Sequence, residues 1–261
     1  MEAILSADAL NKSFGQVIAA RDITVAIPAR QTVGIIGANG AGKTTFVNMI
    51  TGYLHPTSGR IRFQGKDITG LGPKEITRLG VCRSFQIAQI FPTMTTLENM
   101  VVALGVADRL AGRSGLLQPL RQAGREARAQ EVLDHYGIAD YGAQLAGVLP
   151  QGVRKLLDIA MAVASEPKVV LLDEPTSGVS AEEKFATMDA VIRALNEQGI
   201  TVLFVEHDME IVERYADRVL AFYDGTIIAD GPPAETLIMR DVREFVIGDF
   251  QLRHPEGGGH A

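Results

Sequence analysis

The stretch Gly37-Ala38-Asn39-Gly40-Ala41-Gly42-Lys43-Thr44, continued by Thr45, spaces glycines, a lysine and a hydroxyl as a phosphate-holding loop does. Glycine lets the backbone wrap an anion that Cβ atoms would exclude, so main-chain N–H groups can point at phosphate oxygens. Residues 44–51 read as the first turns of a helix, whose N-terminal dipole adds partial positive charge at the same place. Lys43 is placed for the β- and γ-phosphates of a nucleotide and the Thr44 hydroxyl for Mg²⁺. Ahead of the loop, the apolar run Thr32-Val33-Gly34-Ile35-Ile36 reads as the buried strand that such a loop needs.

Two further strand ends carry groups for acid–base chemistry. Val169-Val170-Leu171-Leu172 is apolar and ends in Asp173-Glu174. At the C-terminal edge of a parallel strand these carboxylates face a nucleotide crevice. Asp173 then supports the Mg²⁺ shell, and Glu174 polarises a water for attack on the γ-phosphate. Alone, the pair reads equally as a solvated strand end; the loop at Gly37 decides between the two. A second run, Thr201-Val202-Leu203-Phe204-Val205, ends in Glu206-His207-Asp208 and places His207 for a γ-phosphate contact on a neighbouring strand. Gln86 closes the strand-like run at Val81 and offers a neutral amide to the metal or the attacking water. Phe14 either stacks on an adenine or fills a hairpin core.

The elements that must position these groups follow from patterning. Residues 1–31 alternate apolar runs with turn residues, which predicts a small antiparallel sheet beside the nucleotide core, extended by residues 59–65. Residues 95–140 turn helical, with Thr96 read as the N-cap and residues 105–115 as an interruption. The Arg-rich side of residues 121–136 is expected to be a solvated face, opposite Val132, Leu133 and Tyr136. Beyond it, helix, strand, helix and strand alternate from 154 to 205, the pattern of parallel βαβ units. Ser180 and Glu183 form a capping box for a helix at 181–198, and Asp224-Gly225 signals a tight hairpin. The expected organisation is an α/β core at 1–86 and 153–252, a helical insertion at 87–152, and a disordered tail at 253–261.

Composition narrows the classes. With 46% hydrophobic residues in 261, the chain has ample material for a core. A net charge of -6 argues against nucleic acid as the main partner. Cys82, the single cysteine, excludes a disulfide framework and is expected to be a buried, inert thiol in a reducing compartment. No signal peptide is read at the N-terminus, and no apolar run is long enough to insert directly in a membrane.

Together, Phe14, residues 37–45, Gln86, Leu149-Pro150-Gln151-Gly152, Asp173-Glu174 and His207 resemble the ordered motif set of the ATPase subunits of ATP-binding cassette (ABC) transporters. The resemblance covers essentially the whole chain. It implies a P-loop core with a mostly parallel sheet, an N-terminal antiparallel β subdomain and an inserted helical subdomain. It also implies ATP and Mg²⁺ as cofactors and a head-to-tail dimer with a second ABC ATPase, either a paralogue or itself. There each ATP lies between one subunit's phosphate loop and the other's Pro150, Gln151 and Gly152 position. Glu174 would be the general base, His207 the γ-phosphate sensor, and Gln86 the link to a membrane subunit.

More narrowly, Lys12-Ser13-Phe14-Gly15, Arg83-Ser84-Phe85-Gln86, Phe91 and Met94-Thr95-Thr96-Leu97-Glu98-Asn99 resemble the ATPases of branched-chain amino acid importers. Relatives that handle urea and short amides share these features. Such a subunit works on the cytoplasmic, inner face of a bacterial plasma membrane, with two permease subunits and, indirectly, a periplasmic substrate-binding protein. Two departures stand out: Pro150 and Gln151 replace the family's Ser-Gly, and Ser180 replaces an aspartate. The eroded signature leaves a non-catalytic, regulatory nucleotide-binding subunit as the competing reading, against which intact Glu174 and His207 weigh. The apolar residues Ile87, Ile90, Phe91 and Met94 predict a membrane-subunit docking surface around residues 86–100.

Overall fold

The computed structural model describes residues 3–84, 90–113 and 123–248. Gln86, Ile87 and the tail at 253–261 lie outside the described residues. Strands β1 (Ala3–Phe14) and β2 (Val17–Pro28) pair antiparallel, and their alternation buries Leu5, Ala7, Leu10, Ile23, Val25 and Ile27. Strands β4 (Ser58–Phe63) and β5 (Lys66–Asp67) extend this sheet in the order β2-β1-β4-β5. The antiparallel sheet expected at the N-terminus is therefore present.

The second sheet is built from β3 (Thr32–Gly37), β6 (Val81–Arg83), β7 (Val169–Asp173), β8 (Thr201–Val205), β9 (Arg218–Tyr223) and β10 (Thr226–Gly231). Its order is β10-β9-β3-β8-β7-β6, parallel throughout except for β10 against β9. Near-continuous apolar strands are what burial on two faces demands. Val33, Ile35, Leu171, Leu203 and Val205 pack toward the antiparallel sheet and helix α1 (Lys43–Ile50). Val170, Leu172, Val202 and Phe204 pack toward the helices on the other side. Asp224 and Gly225, both at positive φ (45° and 76°), make the β9–β10 turn that the dipeptide predicted.

The remaining helices are α2 (Pro73–Leu79), α3 (Thr96–Leu110), α4 (Ala123–His135), α5 (Gln151–Ala162), α6 (Lys184–Glu197), α7 (Met209–Tyr215), α8 (Pro233–Thr236) and α9 (Arg240–Val242), followed by a π-turn at Arg243–Ile247. Several differ from expectation for physical reasons. Thr95, not Thr96, caps α3: its Oγ1 accepts from the Glu98 N–H at 3.1 Å, and Glu98 Oε2 accepts from the Thr95 N–H at 2.9 Å. The helix then runs through Gly105 to Leu110, because Met100, Val101, Leu104 and Ala107 bury one continuous face. Helix α2 was not foreseen, although Pro73 at its first position and Glu75, which accepts from the Gly72 N–H at 3.0 Å, announce it. Helix α5 starts at Gln151, earlier than the expected 154. Ser180 Oγ does accept from the Glu183 N–H at 3.3 Å, but this closes a turn one step ahead of α6.

The Arg-rich side of α4 is not simply solvated. Arg125 is buried and donates to Asp108 Oδ2 from Nη2 at 3.2 Å, while Arg128 Nη1 donates to Asp108 Oδ1 at 3.2 Å. The pair ties α3 to α4. Cys82 is buried as expected, its thiol pushed up by burial and 3.3 Å from Ser165 Oγ, so it has little thiolate character. Among the described residues no helix is long and apolar enough to cross a membrane.

Burial pushes the Asp108 carboxyl up, but hydrogen bonds from Arg128 and Arg125 outweigh it and hold the group below the usual carboxylate range. A carboxyl depressed in the folded state stabilises the fold above its unfolded value of about 4, and that stability is lost as pH falls through the folded value. Asp108→Ala should cost about 3 kcal/mol at neutral pH, the scale for breaking a buried pair, measured by urea unfolding. The gap between the two proteins should narrow below about pH 4, and an equal gap at acid pH would show that charge is not its cause.

Candidate functional site

The phosphate loop leaves the sheet at Gly37, at the C-terminal end of β3, and enters α1 at Lys43. Ala38, Asn39, Gly40 and Thr44 are exposed at its crown, Thr45 is half-buried, and Ala41, Gly42 and Lys43 are buried. Gly42, at φ 101°, forms the N-cap of α1 without a side-chain cap, which leaves the first N–H groups free of a competing carboxylate or hydroxyl. A Cβ at Gly42 would meet the Ala19 carbonyl oxygen at 2.8 Å and Gly225 Cα at 3.1 Å. A Cβ at Gly37 would meet the Phe222 carbonyl oxygen at 2.7 Å. The loop is thus pressed against β2, β9 and the β9–β10 turn, and only glycine fits there.

Sequence reasoning took Gly225 for a turn residue only. In the structure its N–H donates to the Ala41 carbonyl at 3.0 Å, and its carbonyl accepts from the Arg21 N–H at 2.8 Å. The hairpin therefore braces the phosphate loop from below. Phe14 ends β1 beside this loop: Ser13 pairs with Ile18 and Lys12 with Ala20, on the strand stretch that touches Gly42. Its ring is exposed, with Lys12 Nζ 5.1 Å from the centroid. Such a ring can take a flat base, and the hairpin-core alternative falls away.

Lys43 Nζ donates to the Gly37 carbonyl at 2.5 Å and the Ala38 carbonyl at 3.0 Å. Burial lowers the pKa of this ammonium, and the charges of Glu174 and Asp173 oppose the shift. Those carboxylates reach it because β7 and β3 flank β8 in the sheet. Asp173 Oδ2 accepts from Arg83 Nη2 at 2.6 Å, and Arg83 Nη1 donates to Asn48 Oδ1 at 2.6 Å. Arg83, on β6, thereby fixes Asp173 against α1, a role no motif revealed.

Glu174 stands in a left-handed conformation, φ 46°, with its N–H donating to the Val205 carbonyl at 3.0 Å. Its Oε1 lies 3.5 Å from His207 Nε2. The structure thus brings Lys43, Asp173, Glu174 and His207 to one sheet edge. Pro150, Gln151 and Gly152 sit elsewhere: Pro150 is the N-cap of α5, Pro150 and Gln151 are exposed, and Gly152 packs near Thr187 Oγ1 of α6. Gln86 lies outside the described residues.

The loop fits a polyphosphate, since its cradle occupies the space that Cβ atoms at Gly37 and Gly42 would block. Hard oxygens from Thr44 and Asp173 suit Mg²⁺, which takes few protein ligands when phosphate supplies others. A strand–loop–helix phosphate cradle facing two carboxylates and an imidazole defines a P-loop nucleotide hydrolase. The ABC transporter family matches residues 20–177. Relatives agree along nearly the whole chain. The high-affinity branched-chain amino acid transport ATP-binding protein BraF of Pseudomonas aeruginosa is 33% identical over 94% of this chain and 98% of its own. LivG of Escherichia coli, of the same description, is 33% identical over the same shares. A nucleotide-free ATP-binding cassette from an ABC transporter superposes with a TM-score of 0.80 at 30% identity, covering 94% of this chain and 98% of that one. The ADP conformation of another such cassette gives 0.78 at 29%, covering 96% and 97%. This chain belongs to the ABC transporter family, as an ATP-binding ATPase subunit.

Gly42→Ala should weaken ATP binding at least about tenfold although Lys43 is untouched, because the new Cβ meets main chain that cannot swing aside. Titration with a fluorescent ATP analogue checks this; unchanged affinity would mean that the loop tolerates displacement from β2.

Proposed function

We propose that this ATPase energises uptake of branched-chain amino acids through two separate membrane permeases, from the cytoplasmic face of a bacterial plasma membrane. The observation that carries the substrate class is the similarity, along 94% of the chain, to relatives named for that transport. A periplasmic binding protein would deliver the amino acid, which never meets this subunit.

In the reaction, Lys43 and the loop N–H groups hold the β- and γ-phosphates, and Phe14 stacks on the adenine. Thr44 and Asp173, with Gln86, would hold Mg²⁺, which would offset charge developing on the phosphoryl oxygens. Glu174 removes a proton from the attacking water, and His207, 3.5 Å from it, contacts the γ-phosphate. Pro150, Gln151 and Gly152 complete the nucleotide site of a second cassette in a head-to-tail dimer. Exposed Phe91 and Met94 serve as the permease-docking surface, while Ile90 packs into the core behind them. Leu145 and Val148 widen this apolar patch: the Ala146 N–H donates to the Met94 carbonyl at 2.9 Å.

Glu174→Gln should retain ATP affinity while turnover falls about a hundredfold or more, the scale of a lost general base. Wild-type turnover would reassign the base. In cells lacking the chain, leucine uptake should fail and be restored by the wild-type gene but not by the Glu174→Gln form. Intact leucine uptake with failed urea uptake would move the substrate to amides.

Pro150 has no N–H and no hydroxyl, so the partner's γ-phosphate loses at least one donor, worth roughly ten- to a hundredfold in rate. In a heterodimer with an intact paralogue, Pro150→Ser should therefore raise hydrolysis at the paralogue's site when this chain also carries Glu174→Gln. Equal dependence of the unmodified heterodimer on both catalytic glutamates would refute the asymmetry.

A further inference from the structure

Glu206 follows β8 directly, is 4% exposed, and immediately precedes His207. Its Oε1 accepts from the Thr176 N–H at 2.9 Å and from the Thr176 hydroxyl at 2.7 Å. Its Oε2 accepts from the His207 N–H at 3.2 Å. Thr176 lies two residues beyond Glu174. One carboxylate therefore joins the loop that carries Glu174 to the loop that carries His207.

A second clasp closes the other flank of His207. Asp208 pairs with Lys184, the first residue of α6, and caps α7 by accepting from the Glu210 N–H at 3.0 Å. Both sequence neighbours of His207 thus reach back to the segment that follows Glu174. Glu174 needs such support. A non-glycine residue at φ 46° persists only where its surroundings over-determine the backbone. The Val205 carbonyl, the Glu206–Thr176 bonds and the Lys184–Asp208 pair supply that constraint.

Burying Glu206 would be costly without a counter-charge. Lys155 on α5 is 5% exposed and its Nζ makes no hydrogen bond among the described residues; burial lowers its pKa, and the charges of Asp158, Glu206, Asp173 and Glu174 oppose that shift. Lys155 sits on the helix that begins with Gln151 and Gly152.

We propose that Glu206 is a positioning residue for ATP hydrolysis, setting the spacing of Glu174 and His207 through Thr176, with Lys184–Asp208 as a second clasp. This rests on Glu174 and His207 being the catalytic pair, so the test carries their variants alongside. In the purified full-length chain, Thr176→Val removes one O–H donor at constant shape. It should lower kcat for ATP about tenfold while KM stays within about twofold and the melting temperature holds, and Thr176→Ser should restore the rate. Glu206→Gln should lower kcat at least as far, and Lys184→Ala, at a half-buried position, should lower it several-fold without weakening ATP binding. Wild-type kcat in Thr176→Val and Lys184→Ala, with Glu174→Gln and His207→Ala inactive, would overturn the positioning role and leave the catalytic pair standing. A rate loss that Thr176→Ser does not restore would overturn it too. Were Glu174→Gln and His207→Ala themselves fully active, the catalytic pair would fall first and the positioning role with it.

Discussion

A buried ammonium is the constraint around which this molecule is arranged. Lys43 sits almost entirely out of water at the start of α1, and its charge can be kept there only if oxygens surround it. Its own loop supplies two carbonyls. The longer-range compensation comes from Asp173 and Glu174, which arrive at the same sheet edge only because β7 and β3 both border β8. Strand order, loop glycines and the carboxylates of Asp173 and Glu174 are thus one electrostatic problem solved together. The same field that holds Lys43 charged suits it to a phosphate, which can displace the carbonyls and offer a full negative charge.

What could be read from the sequence was whatever is written locally. The phosphate loop, the apolar strands ending in Asp173-Glu174 and Glu206-His207, and the Asp224-Gly225 turn each sit within a few consecutive residues, and all lie where the patterning put them. Local signals also erred where tertiary packing outweighed them. Gly105 looks like a helix breaker at a cost of about 1 kcal/mol, but the buried face of α3 exceeds that cost. Arg125 looks like part of a wet, basic face until its partner, Asp108 on another helix, is known.

The supports of the site were the least legible part. Arg83 reaches Asp173 across 90 residues of sequence, and Glu206 reaches Thr176 across 30. Gly225 braces Ala41 from the opposite half of the chain. No spacing rule announces such pairs, because an arginine on a strand or a glutamate before a histidine has many ordinary uses. Only the sheet order brings them face to face. The residues at the strand ends and in the phosphate loop could therefore be placed in advance, whereas those that hold them in place could not.

Strand β3 has a further consequence, for how the protein is made. It carries the phosphate loop, yet its two neighbours are β8 and β9, with Thr32 opposite Val202 and Val33 opposite Arg218. A ribosome adding about 5–20 residues each second releases β3 roughly ten to thirty seconds before either partner exists. During that interval an apolar strand with two unpaired edges is available to other chains. The preceding strands β1 and β2, of the other sheet, can cover one face early, but its edges stay open until the C-terminal third of the chain emerges. Late truncation should therefore cost this protein its solubility, through loss of β9, before it removes His207.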